Sequence, residues 1–279
     1  MKKYLELIRF YQPIGFFLLF LSSSFGIVFA LRNQYFDLEI FKITILFFIG
    51  SFIMRSAGCI INDIADRNFD KKVARTKNRP ITSGQISVKQ AIIFLGFLLL
   101  IGLIILLQFN KLTIFLGFFA LFFVILYPFC KRFTYFPQFI LGITFNFSVL
   151  MSYSAITNQI NISIILLYLA AVIWTIIYDT IYAFADIEDD QKIGIKSTAI
   201  KFSKNPKLIL TILGLIKMTL LTIIATINNF SNGSFVIIFL YLLFFLWQIN
   251  GWGINDKKQC LTIFKNNVLN GAIISLILF

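Results

Sequence analysis

The chain alternates between long apolar runs and short polar segments. Nine of the runs approach the roughly 20 apolar residues that a transmembrane helix needs. They cover, to within a few residues, 13–31, 41–61, 90–107, 112–128, 137–156, 163–184, 207–226, 234–250 and 267–279, of which the ninth is the shortest. The pattern therefore predicts an all-α, polytopic membrane protein with nine transmembrane helices. We expect residues 1–279 to form a single integral-membrane domain.

Composition and charge narrow the possible functions. Hydrophobic residues make up 59% of the chain and charged residues only 13%, whereas about 25% of a typical soluble chain is charged. The chain has no histidine, which excludes imidazole-based catalysis and most zinc sites. The net charge of +13 could suggest nucleic acid. The basic residues collect in particular loops between the spans, however, so the lipid bilayer explains them better, and no obligate protein partner is evident.

The basic residues also predict the orientation of the chain. Lys and Arg are in excess on the cytoplasmic side of membrane proteins. Twenty of the 25 fall in the segments on one predicted side, namely 1–12, 62–89, 129–136, 185–207 and 251–266, against three on the other side. We therefore expect a protein of the cell inner membrane with a cytoplasmic N-terminus and nine crossings.

The first acidic cluster follows the second span. Asn62, Asp66 and Asp70 are spaced four residues apart, so on a helix they lie on one face. Three such groups would repel each other without a cation, but Mg²⁺ takes a few carboxylates and completes its shell with water and phosphate oxygens. The spacing indicates a face that binds Mg²⁺ with a diphosphate at the membrane surface.

A second acidic cluster follows the sixth span. Asp179, Tyr182, Asp186 and Asp190 have spacings of three, four and four, which predicts a second helical face. Asp179 lies inside the span, where a charge costs about 2.5–3.5 kcal/mol and marks a functional candidate. The alternative is a structural ion pair between Asp179 and Arg55, which is also buried in a span, two helical turns before Asn62.

Basic residues accompany the acidic ones on the same side. The segment 62–89 has seven Lys and Arg residues, including Arg75 and Arg79. They could be ordinary cytoplasmic charge in contact with anionic lipid, but carboxylates for Mg²⁺ beside cations for phosphate oxygens favour a metal–diphosphate. Lys131 and Arg132 follow the fourth span and could complete the cationic wall.

Several motifs resemble those of the UbiA prenyltransferase superfamily, and most closely its branch that prenylates 4-hydroxybenzoate in ubiquinone synthesis. Paired aspartate motifs at helix ends are specific to that superfamily. The resemblance covers about residues 8–202 and rests on the segments 55–59 (RSAGC), 62–70 (NDIADRNFD), 75–80 (RTKNRP), 127–134 (YPFCKRFT), 178–183 (YDTIYA) and 186–199 (DIEDDQKIGIKSTA).

The resemblance implies nine transmembrane helices around a central cavity and Mg²⁺-dependent transfer from a polyprenyl diphosphate to 4-hydroxybenzoate, at a site on the cytoplasmic side. Arg55 would bind the aromatic carboxylate, and Asp179 could orient the phenol. By position in the motifs, the residues that would bind Mg²⁺–diphosphate are Asn62, Asp66, Asp70, Asp186 and Asp190. Arg75 and Lys131 would bind its phosphate oxygens, and Tyr127 and Tyr182 would support them.

Three alternatives stay open at this point. The acceptor could be another aromatic compound, such as a naphthoate. An ion-coupled transporter could also place charges inside the membrane, but it predicts polar groups that reach both membrane faces. A structural or lipid-sensing membrane protein has no need of two aspartate motifs.

Overall fold

A computed structural model describes residues 1–71 and 76–279. Every regular element within these ranges is a helix. In chain order they are α1 (Lys2–Leu7), α2 (Ile14–Leu31), α3 (Leu38–Asp70), α4 (Val88–Leu106), α5 (Lys111–Phe133), α6 (Pro137–Thr157), α7 (Ile162–Phe184), α8 (Ile187–Ile193), α9 (Thr198–Lys201), α10 (Pro206–Ile227), α11 (Asn232–Gly251) and α12 (Lys257–Leu278).

Nine of these helices are long and apolar enough to cross a membrane, counted over the described residues. The prediction of nine spans is therefore confirmed, although two boundaries differ. The last helix begins at Lys257 and not near residue 267, because the Asp256 carboxylate caps it and accepts hydrogen bonds from Lys258 N and Gln259 N at 2.9 and 3.0 Å. The second spanning helix, α3, continues to Asp70.

The length of α3 places its acidic end outside the apolar layer. It has 33 residues, and at 1.5 Å per residue it is about 50 Å long. The hydrocarbon core of a bilayer is only about 30 Å thick. One end of α3 must therefore project, and the polar end is the one that carries Asn62, Asp66 and Asp70.

The helices pack around two main hydrophobic cores, and a small third cluster of Ile27, Ile43 and Phe47 joins α2 to α3. The larger core joins α2, α6, α7, α10, α11 and α12, with Trp174 and Phe25 fully buried at its centre. The helices α2 and α6 approach so closely at Gly26 that a β-carbon there would collide with the Val149 carbonyl. The smaller core joins α1, α3 and α4, while α5 packs mainly on α6. A large cavity lies between these groups of helices.

The residues of the second acidic cluster do not lie on one continuous helix, so the prediction of a second helical face from Asp179 to Asp190 is wrong. Helix α7 ends at Phe184, and Asp186 is the N-cap residue of the separate helix α8. In a continuous helix these carboxylates would sit at the negative, C-terminal end of the dipole. The break instead places Glu188, Asp189 and Asp190 in the first turn of α8, where the dipole favours negative charge.

Candidate active site

The cavity has a volume of about 1570 Å³ and is lined mainly by α2–α7 and α12, with contributions from α1 and α8. Its walls are apolar along most of its length, with leucine and phenylalanine side chains such as Leu103, Leu106 and Phe109. One end carries charged side chains, among them Asp66, Asp70, Arg79 and Lys131, and we call it the polar end. Of the predicted site residues, the cavity is lined by Arg55, Asn62, Asp66, Asp70, Arg79, Tyr127, Lys131, Asp179, Tyr182, Asp186 and Asp190. The two acidic clusters therefore lie on the wall of the same cavity.

The acidic residues of α3 are buried and paired with basic side chains. Asp66 and Asp70 are only 2% and 7% exposed. Lys131, from the last turn of α5, forms an ion pair with Asp66. Arg79 donates a 2.8 Å hydrogen bond to Asp70 Oδ2. The cations expected to bind phosphate thus lie directly beside the carboxylates expected to bind the metal.

Sequence reasoning missed a second layer of this network. Arg9 Nη2 donates to both oxygens of Asp63, at 2.7 and 2.9 Å, and Arg79 Nη1 donates to Asp63 Oδ1 at 3.1 Å. Asp63 is 1% exposed; it belongs to the first acidic cluster of the sequence but does not fit the four-residue spacing of the expected metal ligands. Its separation of three from Asp66 was a usable signal, since residues three apart also share a helix face. Nothing in the sequence around Arg9 indicated this contact.

The segment after α7 is tied to the rest of the site by hydrogen bonds. Thr180 and Thr198 hydroxyls lie 2.7 Å apart, and Thr198 N donates to Gln138 Oε1 at 3.0 Å. Lys196 N donates to the Lys131 carbonyl at 3.1 Å. These contacts join α6, α7 and the end of α5 to the segment 196–198, which follows α8. They hold the segment that directly follows α8 against α5, α6 and α7.

Arg55 lies against the start of α2. Its guanidinium packs on Gly15, at a distance that leaves no room for a side chain there. Within the described ranges no ion pair joins Arg55 to Asp179, although both side chains line the cavity. The structure therefore does not show the direct contact that a purely structural Arg55–Asp179 pair would make.

One predicted residue that the structure describes is not brought to the site. Arg132 is exposed and does not line the cavity; its guanidinium donates to the Ala65 carbonyl at 2.7 Å and lies 5.7 Å from the Phe69 ring centre. The expectation that it binds substrate is corrected, because the side chain instead supports the end of α3 from outside. Arg75 lies outside the described residues.

The polar end suits a magnesium ion that is shared with a substrate. Asp66 Oδ1 is buried and, within the described residues, accepts no hydrogen bond. Such an unsatisfied atom costs about 1–3 kcal/mol, which a bound cation would offset. In the same part of the chain no three acidic or thiol groups converge on a ready metal site. Mg²⁺ typically takes one or two carboxylates and completes its shell with water and substrate phosphates, so the buried, unpaired oxygen of Asp66 fits this ion.

Comparisons with known proteins identify the family and the fold. The model of the UbiA prenyltransferase family matches residues 19–271. The 4-hydroxybenzoate octaprenyltransferase of Vesicomyosocius okutanii is 43% identical over 266 residues, covering 95% of this chain and 96% of the relative. The protein of that name from Francisella tularensis subsp. novicida is 41% identical over 274 residues, covering 98% and 95%. A UbiA homolog from Archaeoglobus fulgidus, solved with GPP and Mg²⁺, shares the fold with a TM-score of 0.72 and 20% identity, covering 98% of this chain and 99% of that one.

Proposed function

Because the chain belongs to the UbiA prenyltransferase family, we propose that it transfers a polyprenyl group from polyprenyl diphosphate to 4-hydroxybenzoate, at the ring carbon ortho to the hydroxyl, and releases diphosphate in ubiquinone biosynthesis. It would act in the inner membrane, with its site facing the cytoplasm. One observation carries the proposal. Two acidic elements and their basic partners share the polar end of a single large apolar cavity.

The apolar part of the cavity suits a long isoprenoid chain. Its volume of about 1570 Å³ exceeds the roughly 300–1,000 Å³ typical of pockets for drug-sized ligands. Phe47 and Asp66 both line it, and 19 residues of α3 separate them, or about 28 Å along the helix axis. A donor with its diphosphate at the polar end can therefore extend its chain deep into the membrane.

The basic residues of the polar end would bind the diphosphate. Arg79 and Lys131 pair with Asp70 and Asp66, so their charges are already held beside the expected metal ligands. Hydrogen bonds from such cations to phosphate oxygens are shorter and about twice as strong as neutral ones. Arg75 joins this set on the strength of the family resemblance alone.

Mg²⁺ would be held by oxygens of Asn62, Asp66, Asp70, Asp186 and Asp190. When bound, the ion supplies positive charge to the leaving diphosphate as the allylic C–O bond breaks. The unpaired oxygen of Asp66 supports a cation at this place. A chelator that removes Mg²⁺ should therefore abolish prenyl transfer.

The acceptor would bind deeper, beside Arg55. A guanidinium matches a carboxylate through two parallel hydrogen bonds, so Arg55 would hold the acid group of 4-hydroxybenzoate. Asp179 would orient the phenol, with Tyr127 and Tyr182 completing the wall. The ring carbon then forms its bond to the allylic carbon, the ring loses a proton, and the apolar walls keep water from the reacting cation.

The transporter alternative receives no support from the cavity. It requires polar groups along a path to both membrane faces. The part of the cavity far from the polar end is lined instead by apolar side chains, among them Leu46, Phe47, Phe109 and Met151.

The test uses membranes that contain the protein, with labelled polyprenyl diphosphate, 4-hydroxybenzoate and Mg²⁺. We expect a prenylated product that disappears with a chelator and with Asp66→Asn. Membranes that carry Arg132→Ala serve as the matched control, because that side chain lies outside the cavity. Product formation with a dihydroxynaphthoate, and none with 4-hydroxybenzoate, would show that the acceptor is a naphthoate. Transfer that persists in chelator and in Asp66→Asn would overturn the metal-dependent mechanism.

A further inference from the structure

Gly15 is the second residue of α2, and its surroundings explain why no larger residue stands there. A β-carbon at this position would lie 2.7 Å from Nη2 and 2.8 Å from Cζ of Arg55, and closer still to Nε. Carbon contacts are normally about 3.5–4.0 Å. An alanine would therefore have to move the guanidinium by about 1 Å. The guanidinium occupies the place that a side chain of residue 15 would fill.

The backbone gives no reason of its own for glycine at this position. Gly15 lies within α2, and it is not among the residues with positive φ. In a helix interior, alanine is generally favoured over glycine. The absence of a side chain at residue 15 thus makes room for the Arg55 guanidinium and is not needed for the backbone conformation of α2.

The space next to the Arg55 guanidinium differs greatly between its two sides. On the side of the α1–α2 connection it is about 20 Å³, with Phe10, Phe16 and Phe52 among the residues that line it. That is close to the smallest space that holds one water molecule, and it is too small for the guanidinium. On its other side Arg55 faces the large cavity. A side chain at residue 15 would push the guanidinium into the space of the acceptor.

We propose that Gly15 is a positioning residue for the aromatic acid: by lacking a side chain it lets the Arg55 guanidinium lie against α2, which sets the depth at which the acceptor carboxylate binds. This inference rests on the proposed function, in which Arg55 binds that carboxylate. A misplacement of about 1 Å in such a contact can change the rate on the order of 100-fold.

The test compares Gly15→Ala with Gly233→Ala in the full-length protein in membranes. Gly233 is the matched control, because it is the second residue of α11 and a β-carbon there meets only Ser231 Oγ at 3.5 Å. We expect Gly15→Ala to raise KM for 4-hydroxybenzoate about tenfold or more and to change KM for the polyprenyl diphosphate less than twofold. Gly233→Ala should change neither constant.

A double-mutant cycle separates positioning from a general structural role. If Gly15 acts through Arg55, adding Gly15→Ala to Arg55→Ala should have no further effect on KM for the acid. Loss of folded protein would not obscure the result. The ratio of turnover with 4-hydroxybenzoate to turnover with a phenol that lacks the carboxylate is independent of enzyme amount, and it should fall in Gly15→Ala.

Three results overturn the inference and can be told apart. An unchanged KM and an unchanged turnover ratio in Gly15→Ala, with an active wild type, reject the role of Gly15 alone. An effect of Gly15→Ala that persists in the Arg55→Ala background does the same. A wild-type protein that does not prenylate 4-hydroxybenzoate rejects the proposed function, and the inference with it.

Discussion

Arg9 offers the sharpest test of how the polar end is held together. Arg9 donates to both oxygens of Asp63, and Asp63 is almost fully buried. Arg79 then bridges Asp63 and Asp70, at 3.1 and 2.8 Å. The backbone of Arg9 has φ of 59°, a left-handed conformation that costs about 1–3 kcal/mol in a non-glycine residue. The contacts of the Arg9 side chain must offset that strain.

The structure sets the size of the effect of Arg9→Ala. Removing one partner of a buried ion pair costs about 3–5 kcal/mol when the other is left alone. Arg79 remains beside Asp63, so we expect a smaller loss in the free energy of unfolding, about 2–3 kcal/mol. For a chain of this size that lowers the melting temperature by roughly 4–12 °C. Asp63 would also draw Arg79 away from Asp70, and KM for the polyprenyl diphosphate should rise about tenfold, which corresponds to about 1.4 kcal/mol.

The assay is thermal unfolding in detergent together with steady-state kinetics in membranes. Lys3→Ala is the matched control, because Lys3 is a basic residue of α1, the helix that precedes Arg9. Among the described residues its ammonium contacts only the exposed Gln85 carbonyl, at 3.1 Å, and a nearby tyrosine ring. It should change stability by less than about 0.5 kcal/mol. Adding Asp63→Asn to Arg9→Ala should restore most of the lost stability, since removing both partners leaves no unpaired charge. A melting temperature unchanged by Arg9→Ala, or lowered further in the double variant, would refute this reasoning.

Two further substitutions separate the polar end from its surroundings. Lys131→Met removes the cation beside Asp66 and should raise KM for the polyprenyl diphosphate at least tenfold, as measured by steady-state kinetics, with little change for 4-hydroxybenzoate; equal effects on both substrates would contradict a role at the diphosphate. Arg132→Ala removes an exposed side chain outside the cavity and should leave KM for the polyprenyl diphosphate and for 4-hydroxybenzoate within twofold. A large rise in either KM would show that Arg132 does contribute to substrate binding.

Much of the fold could be predicted from the sequence because the bilayer imposes a simple rule. A span needs about 20 apolar residues with every backbone group paired internally, and the nine runs show this directly. The ends of the helices follow a different rule. Backbone hydrogen bonds continue through polar residues, so α3 extends to Asp70, and a single carboxylate starts α12 well before the apolar run.

Residue spacing predicted the parts of the candidate site whose residues are close in sequence. The four-residue spacing of Asn62, Asp66 and Asp70 follows from helix geometry, and these residues do share the cavity. Contacts between distant segments leave no such pattern. Arg9 and Asp63 are 54 residues apart, and the approach of Gly15 to Arg55 depends on how α2 packs against α3.

The most direct test of the central claim is calorimetric titration of the detergent-solubilised protein with pyrophosphate, in the presence and absence of Mg²⁺. The wild type should bind pyrophosphate only with Mg²⁺, and Asp66→Asn and Asp190→Asn should each weaken that binding at least tenfold. If both carboxylates serve one metal–diphosphate, the double variant should lose little more than either single variant, because groups that share one ligand are not additive. Losses that simply add, or Mg²⁺-dependent binding that survives both substitutions, would contradict a shared site.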